Sequence, residues 1–259
     1  MKYITKQVKR IGNGAYVTLP KETVGQTVTV IFEKTMQEVG KEALQILLPY
    51  LRHVKGIYLH GSYARGDNAP GSDIDLLVIS DGRVAIPKRI EDYEIMSVTI
   101  QGLEKDLSYL APLVLPAIKE SIPILNEELL KPYRSRKLDR KNLRWYMEST
   151  QSALGLAESS LNVGPDHTVP VYSLVLRLRG LLMIDCMLNQ KKYSTMLVND
   201  FLKGKLSQEE IDGLNKIYQA RRDNKAVRQS SVRKQSVIVL LNAVQHCYSK
   251  VRRQWERLS

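Results

Sequence analysis

Over residues 34 to 52, KTMQEVGKEALQILLPYLR, apolar positions recur at three- and four-residue intervals. This predicts an amphipathic helix with Ala43, Leu44, Leu47 and Leu48 on one face and Pro49 near its end. GIYLHG and DLLVIS follow as short continuous apolar runs, the pattern of strands buried on both faces. VAIPKRIEDYEIMSVTI reads as a helix-to-strand passage, and GLEKDLSYLAPLVLPAIKESIPIL as a helix running into a short apolar end. From about residue 128 the period is helical, with expected helices over 139–162, 170–189, 193–203, 207–221 and 229–257 and a loop at NVGPDHTVP. The first 34 residues alternate as strands do (KQVKR, AYVTLP, TVTVIF) around the turn Gly12-Asn13-Gly14. So small a unit cannot bury its own core and must pack on the rest of the chain or on another copy. The expected fold class is α/β + α. It comprises a small N-terminal β-hairpin segment over 1–34, an α/β core with a mixed sheet over 35–127, and a C-terminal all-α helical bundle over 128–259.

Composition narrows the class. The chain has 259 residues, 43% hydrophobic and 25% charged, the balance of a globular protein, and no apolar run approaches the roughly 20 residues of a membrane span. The N-terminus has no apolar signal core, so the expected compartment is the cytoplasm. Cys186 and Cys247 lie far apart in helical segments with no zinc-type spacing and are expected as buried thiols. A formal charge of +12 points to polyanions, nucleic acid or triphosphates. Lys131, Arg134, Arg136, Lys137, Arg140, Lys141 and Arg144 crowd one segment, interleaved with Tyr133, Trp145 and Tyr146 in a pattern suited to stacking on bases. Arg221, Arg222 and Arg228 lie in a polar interruption between apolar helices, where phosphate binding and plain solvation are both open.

The chemistry concentrates in LHGSYARGDNAPGSDIDLLVIS, residues 59–80. A strand ending at Gly61-Ser62 and turning through Gly66 exposes backbone N–H groups and a small hydroxyl, which suits phosphate oxygens. Asp73 and Asp75, at i and i+2 of the returning strand, point to the same face. Two adjacent carboxylates call for a compensating cation, most simply a divalent metal. A phosphate cradle beside a metal pair is the constellation for phosphoryl or nucleotidyl transfer.

The run G-S-Y-A-R-G-(x)5-S-D-I-D resembles the signature of the polymerase-β-like nucleotidyltransferase superfamily, in its minimal and kanamycin-type form, with similarity over about residues 38 to 127. The resemblance implies that Gly61 and Ser62 bind the β and γ phosphates of an NTP, ATP or CTP, and that Asp73 and Asp75 hold two Mg2+ ions. Arg65 and Gly66 would shape the loop, and Ser72 stands where the family has a small residue before the metal pair. It also implies a third carboxylate on a neighbouring strand, for which Glu94 is preferred and Asp92 is the alternative. VKRIGNGAYVTLPKETVGQTVTVIF resembles the AbrB-type swapped-hairpin family, which implies a homodimer and, in many relatives, DNA contact through groups such as Lys6, Lys9, Arg10 and Lys21. The helical tail is similar to HEPN-like bundles but lacks the Arg-x(4–6)-His motif of the HEPN ribonucleases. The resulting expectation is a Mg2+-dependent nucleotidyltransferase acting on RNA, tRNA, protein or a small molecule. The alternative is a nucleic-acid-binding regulator or toxin–antitoxin component with a sensory or degenerate transferase domain.

Overall fold

The structure, a computed structural model, describes residues 6–30, 34–68, 71–163, 166–226 and 232–258. Strands β1 (Lys9–Ile11) and β2 (Gly14–Tyr16) form an antiparallel hairpin whose turn places Gly12 at φ 54°, a left-handed conformation glycine adopts without strain. Residues 27–30, expected in a third strand, form none, and the rest of that run lies outside the described residues. The hairpin segment stays exposed, with Ile11 63% and Val24 85% accessible.

Helix α1 (Met36–Leu47) starts at a capping box in which the Thr35 hydroxyl accepts from the Glu38 N–H and the Glu38 carboxylate accepts from the Thr35 N–H. It buries Val39, Ala43 and Leu47, while Leu44 and Leu48, expected on the same face, are exposed. Strand β3 (Val54–His60), the short helix α2 (Gly61–Arg65), β4 (Ile74–Ser80), β5 (Arg89–Ile90) and β6 (Tyr93–Thr99) follow. The predicted helix before β6 does not form: residues 84–88 are irregular and lead into the edge strand β5. The predicted long helix divides into α3 (Ile100–Tyr109) and α4 (Ala111–Glu120) and ends in β7 (Ile122–Leu125). Pro112 accounts for the division, because its ring would clash with the Ser108 carbonyl of a continuous helix.

The sheet has five strands in the order β5-β6-β4-β3-β7, with β4 and β6 parallel and the other pairs antiparallel. The helical region contains α5 (Lys131–Arg134), α6 (Arg140–Val163), α7 (Val171–Leu188), α8 (Met196–Leu202), α9 (Gln208–Arg222) and α10 (Lys234–Trp255). No helix among the described residues is long and apolar enough to cross a membrane. Strand alternation sends Ile74, Leu76 and Val78 of β4 into a core under α1, and Leu77 and Ile79 into a second core shared with α3, α4, α6, α7 and α10. Asp75 shares the face of Leu77 and Ile79. The face on which the helical region packs is therefore also the face that carries the carboxylates. Cys186 and Cys247 are buried as expected.

Candidate active site

The turn from β3 into α2 is built around Gly61. Its φ is 73°, and a Cβ there would collide with the Asp75 carboxylate, so only glycine lets the turn approach the strand this closely. The Gly61 N–H donates to Glu120 Oε1 at 3.1 Å. Arg65 Nη1 grips both Glu120 oxygens at 2.8 and 2.9 Å, and its Nε reaches Asp67 Oδ1 at 3.2 Å. Gly66 closes α2 at φ 74°. Asp67 Oδ2 accepts from the Thr195 N–H at 2.8 Å and the Thr195 hydroxyl at 3.2 Å, which fastens the turn to the start of α8.

The carboxylates assemble through strand register. Asp75 on β4 stands opposite Glu94 on the parallel neighbour β6 and opposite His60 on β3. Burial first, then the negative charges of Glu94 and Asp73, push the Asp75 carboxyl up to about 6. Burial and the Arg65 charge bring His60 down to about 4, so the imidazole is neutral near pH 7, in keeping with a packed strand residue. Asp73 is covered by two guanidiniums: Arg89 Nη2 donates to its Oδ1 at 2.6 Å, and Arg222 Nη2, from α9, lies 3.6 Å from its Oδ2. Asp92 points elsewhere. Its side chain pairs with Lys34 at 3.3 Å, and its carbonyl accepts the Ile74 N–H.

Residues 41–130 match the family described as "Nucleotidyltransferase domain". This part of the chain is a nucleotidyltransferase domain. Residues 1–33 match a family described as "Putative transposon-encoded protein". A search of curated proteins finds no match. Among solved structures the chain is similar to a spectinomycin adenyltransferase from Enterococcus faecialis, solved with ATP and spectinomycin: 15% identity over 82% of this chain and 100% of that one, TM-score 0.47. A nucleotidyltransferase-like protein from Exiguobacterium sibiricum is 13% identical over 82% of this chain and 75% of its own, TM-score 0.36. A toxin–antitoxin structure with AMP-PNP is 17% identical over 46% of this chain and 96% of that one, TM-score 0.29.

The donor chemistry of the nucleotidyltransferase domain fits a hard divalent cation. Asp73, Asp75 and Glu94 are oxygen donors, and the burial that chiefly raises the Asp75 carboxyl, with the charges of Glu94 and Asp73 behind it, would be offset by a bound cation. Among the described residues no three His, Cys, Asp or Glu side chains form a ready metal cluster. Arg89, Glu120 and Arg222 are site residues that the domain's motif does not contain. Arg222 was legible only as one of three arginines in a polar interruption. Of the others, Arg221 pairs with Asp166 and Arg228 lies outside the described residues. Tyr133 and Tyr146, expected to stack on bases, are buried, whereas Trp145 is 49% exposed.

Proposed function

We propose that the protein transfers a nucleoside monophosphate from an NTP, ATP or CTP, to a hydroxyl or phosphate of an RNA, tRNA or protein acceptor. A bond forms from the acceptor oxygen to the α phosphorus, the bond to the β-phosphate oxygen breaks, and pyrophosphate leaves. The observation that carries this reading is the register that sets Asp75 opposite Glu94, with Asp73 two residues earlier and the Gly61 turn against Asp75. Two Mg2+ ions at Asp73, Asp75 and Glu94 would supply charge neutralisation of the triphosphate and a more acidic acceptor hydroxyl. Glu94 is the better placed third carboxylate because Asp92 is engaged by Lys34, and it would take the acceptor proton. Ser62, Ser72 and the backbone of the turn would meet the phosphates. Gly61 serves chiefly by conformation, since its N–H is held by Glu120, and Arg65 and Gly66 fix the turn's shape.

The N-terminal segment would join two copies, as its AbrB-like pattern suggests, and its exposed apolar residues support that reading. The full chain should then be a homodimer in light scattering and the chain without residues 1–34 a monomer; a monomeric full chain removes this part. A cytoplasmic location accords with it. The transfer itself is tested by incubating the protein with Mg2+ and each labelled NTP against total RNA, tRNA and protein extract. Label should move to one acceptor class and stay on the nucleotide in an Asp73→Asn, Asp75→Asn double variant. Equal labelling by that variant would overturn the assignment.

A further inference from the structure

Two arginines of α7 are used by nothing described so far. Arg179 Nη1 donates to the Tyr218 hydroxyl at 2.9 Å, and its guanidinium lies 5.6 Å from that ring. Arg177 Nη1 donates to the Ser149 hydroxyl at 3.1 Å and lies 5.3 Å from the Tyr146 ring. Both are half-buried, and among the described residues neither has a carboxylate partner. Guanidiniums taken partly out of water are normally compensated by an anion, and rings and hydroxyls neutralise nothing. At 100° per residue the two border a face about 160° wide that contains Leu176 and Gly180. On that face Leu176 is 43% accessible, while the Tyr146 hydroxyl lies against Gly180, where a Cβ would strike it.

A second observation comes from Tyr193. Its ring lies beneath Arg65, 5.5 Å from the guanidinium, and it favours the charged form of Arg179, so it stands between the Gly61 turn and Arg179. Its hydroxyl is buried and meets no partner at full hydrogen-bond geometry among the described residues, although it lies close enough to the Arg179 guanidinium to act on it as a hydrogen-bonding group. Tyr218, beneath Arg179, is one helical turn before Arg222, which reaches Asp73. Through Tyr193 and Tyr218, Arg179 is therefore linked to the nucleotidyltransferase site.

We infer that Arg177, Arg179 and the Tyr193 hydroxyl form a phosphate-binding subsite for the acceptor, and that the acceptor is single-stranded nucleic acid. The inference rests on the transferase reading above and gives that reading its substrate class. Guanidiniums match phosphate oxygens in a fixed fork, and tyrosines beside them suit unstacked nucleotides. The net charge of +12 draws the same ligand, and a cationic small-molecule acceptor would be repelled.

The test measures binding separately from transfer. A fluorescein-labelled single-stranded oligoribonucleotide is titrated by anisotropy over a salt series, with Mg-ATP affinity measured by calorimetry on the same proteins. Arg177→Gln and Arg179→Gln should each weaken RNA binding about tenfold and lower the salt slope by about 0.7, one phosphate's share on a single strand, with nucleotide affinity unchanged. Tyr193→Phe keeps the ring and the packing, so it reads the site even if an arginine variant unfolds; it should weaken RNA binding about threefold. Unchanged RNA affinity in the folded variants overturns the subsite, as does loss of nucleotide affinity in step with RNA, which would place the triphosphate there. Preferred binding of an acidic peptide overturns the substrate class. RNA that binds through these residues but takes no label from any NTP refutes the transferase reading and leaves the subsite standing. Labelled RNA that is indifferent to the variants does the reverse.

Discussion

Asp75 carries electrostatic strain in the site, and that strain has a definite sign. Its folded pKa of about 6 lies above the ordinary 3.8, so folding favours its protonated form. That contribution is fully present below pH 3.8, declines as pH rises, and is gone above about 6. Asp75→Asn, neutral at every pH, should therefore stabilise the metal-free protein by about 3 kcal/mol at pH 7.5 and by almost nothing at pH 3.5, while abolishing transfer. His60 is present in both proteins, so its own titration cancels in the difference. Urea unfolding at the two pH values checks this, and a gap independent of pH would mean that neither burial nor the charges of Glu94 and Asp73 burden Asp75. Asp73, Asp75 and Gly61 were legible because the motif is local and its meaning follows from strand alternation and turn chemistry. Glu120 was not: it reaches the Gly61 N–H from 59 residues away, and a glutamate at the end of an apolar helix has no pattern of its own. The pairing of Arg89 and Arg222 with Asp73 was hidden for the same reason, since one comes from an edge strand and the other from the helical region.

The element that holds the site together is the short turn from Gly61 to Gly66, and its two glycines differ in what they meet. Both are in the left-handed region, but a Cβ at Gly61 strikes the Asp75 carboxylate whereas one at Gly66 meets open space. Gly66→Ala should cost about 1 kcal/mol, the usual conformational penalty, and Gly61→Ala about 3 kcal/mol because strand and turn must also separate. Chemical unfolding of the two variants checks the order, and equal costs would remove the argument for close approach. Helices were the most legible elements: α6 and α7 begin and end within one residue of the expected 139–162 and 170–189. Long apolar periodicity accounts for this, since many positions vote together. The passage around VAIPK was misread because Pro87 and the exposed edge strand leave no such vote, and α10 starts at Lys234 rather than 229 because Arg233 is extended.

At the scale of the whole molecule, the α/β part and the helical part share a core, although the sequence divides them cleanly near residue 128. Tyr58, Leu77 and Ile79 of the sheet lie in one apolar cluster with Leu143, Leu178 and Leu240 of the helices. Separating the parts would expose that sheet face to water at about 25 cal/mol per Å2 of apolar surface, and would also break the Asp67–Thr195 and Asp73–Arg222 links. Residues 34–258 should therefore unfold in one cooperative step. Trp145 and Trp255 both belong to the helical part, so their fluorescence reports that part alone, while hydrogen exchange of the Leu76–Ile79 amides reports the sheet. The two probes should give the same free energy of opening, and residues 35–127 expressed alone should fail to give a cooperative transition. Sheet amides that open at much lower free energy than the helices melt would show the transferase domain to be an independent unit, with the Arg222 contact a loose closure rather than part of the fold.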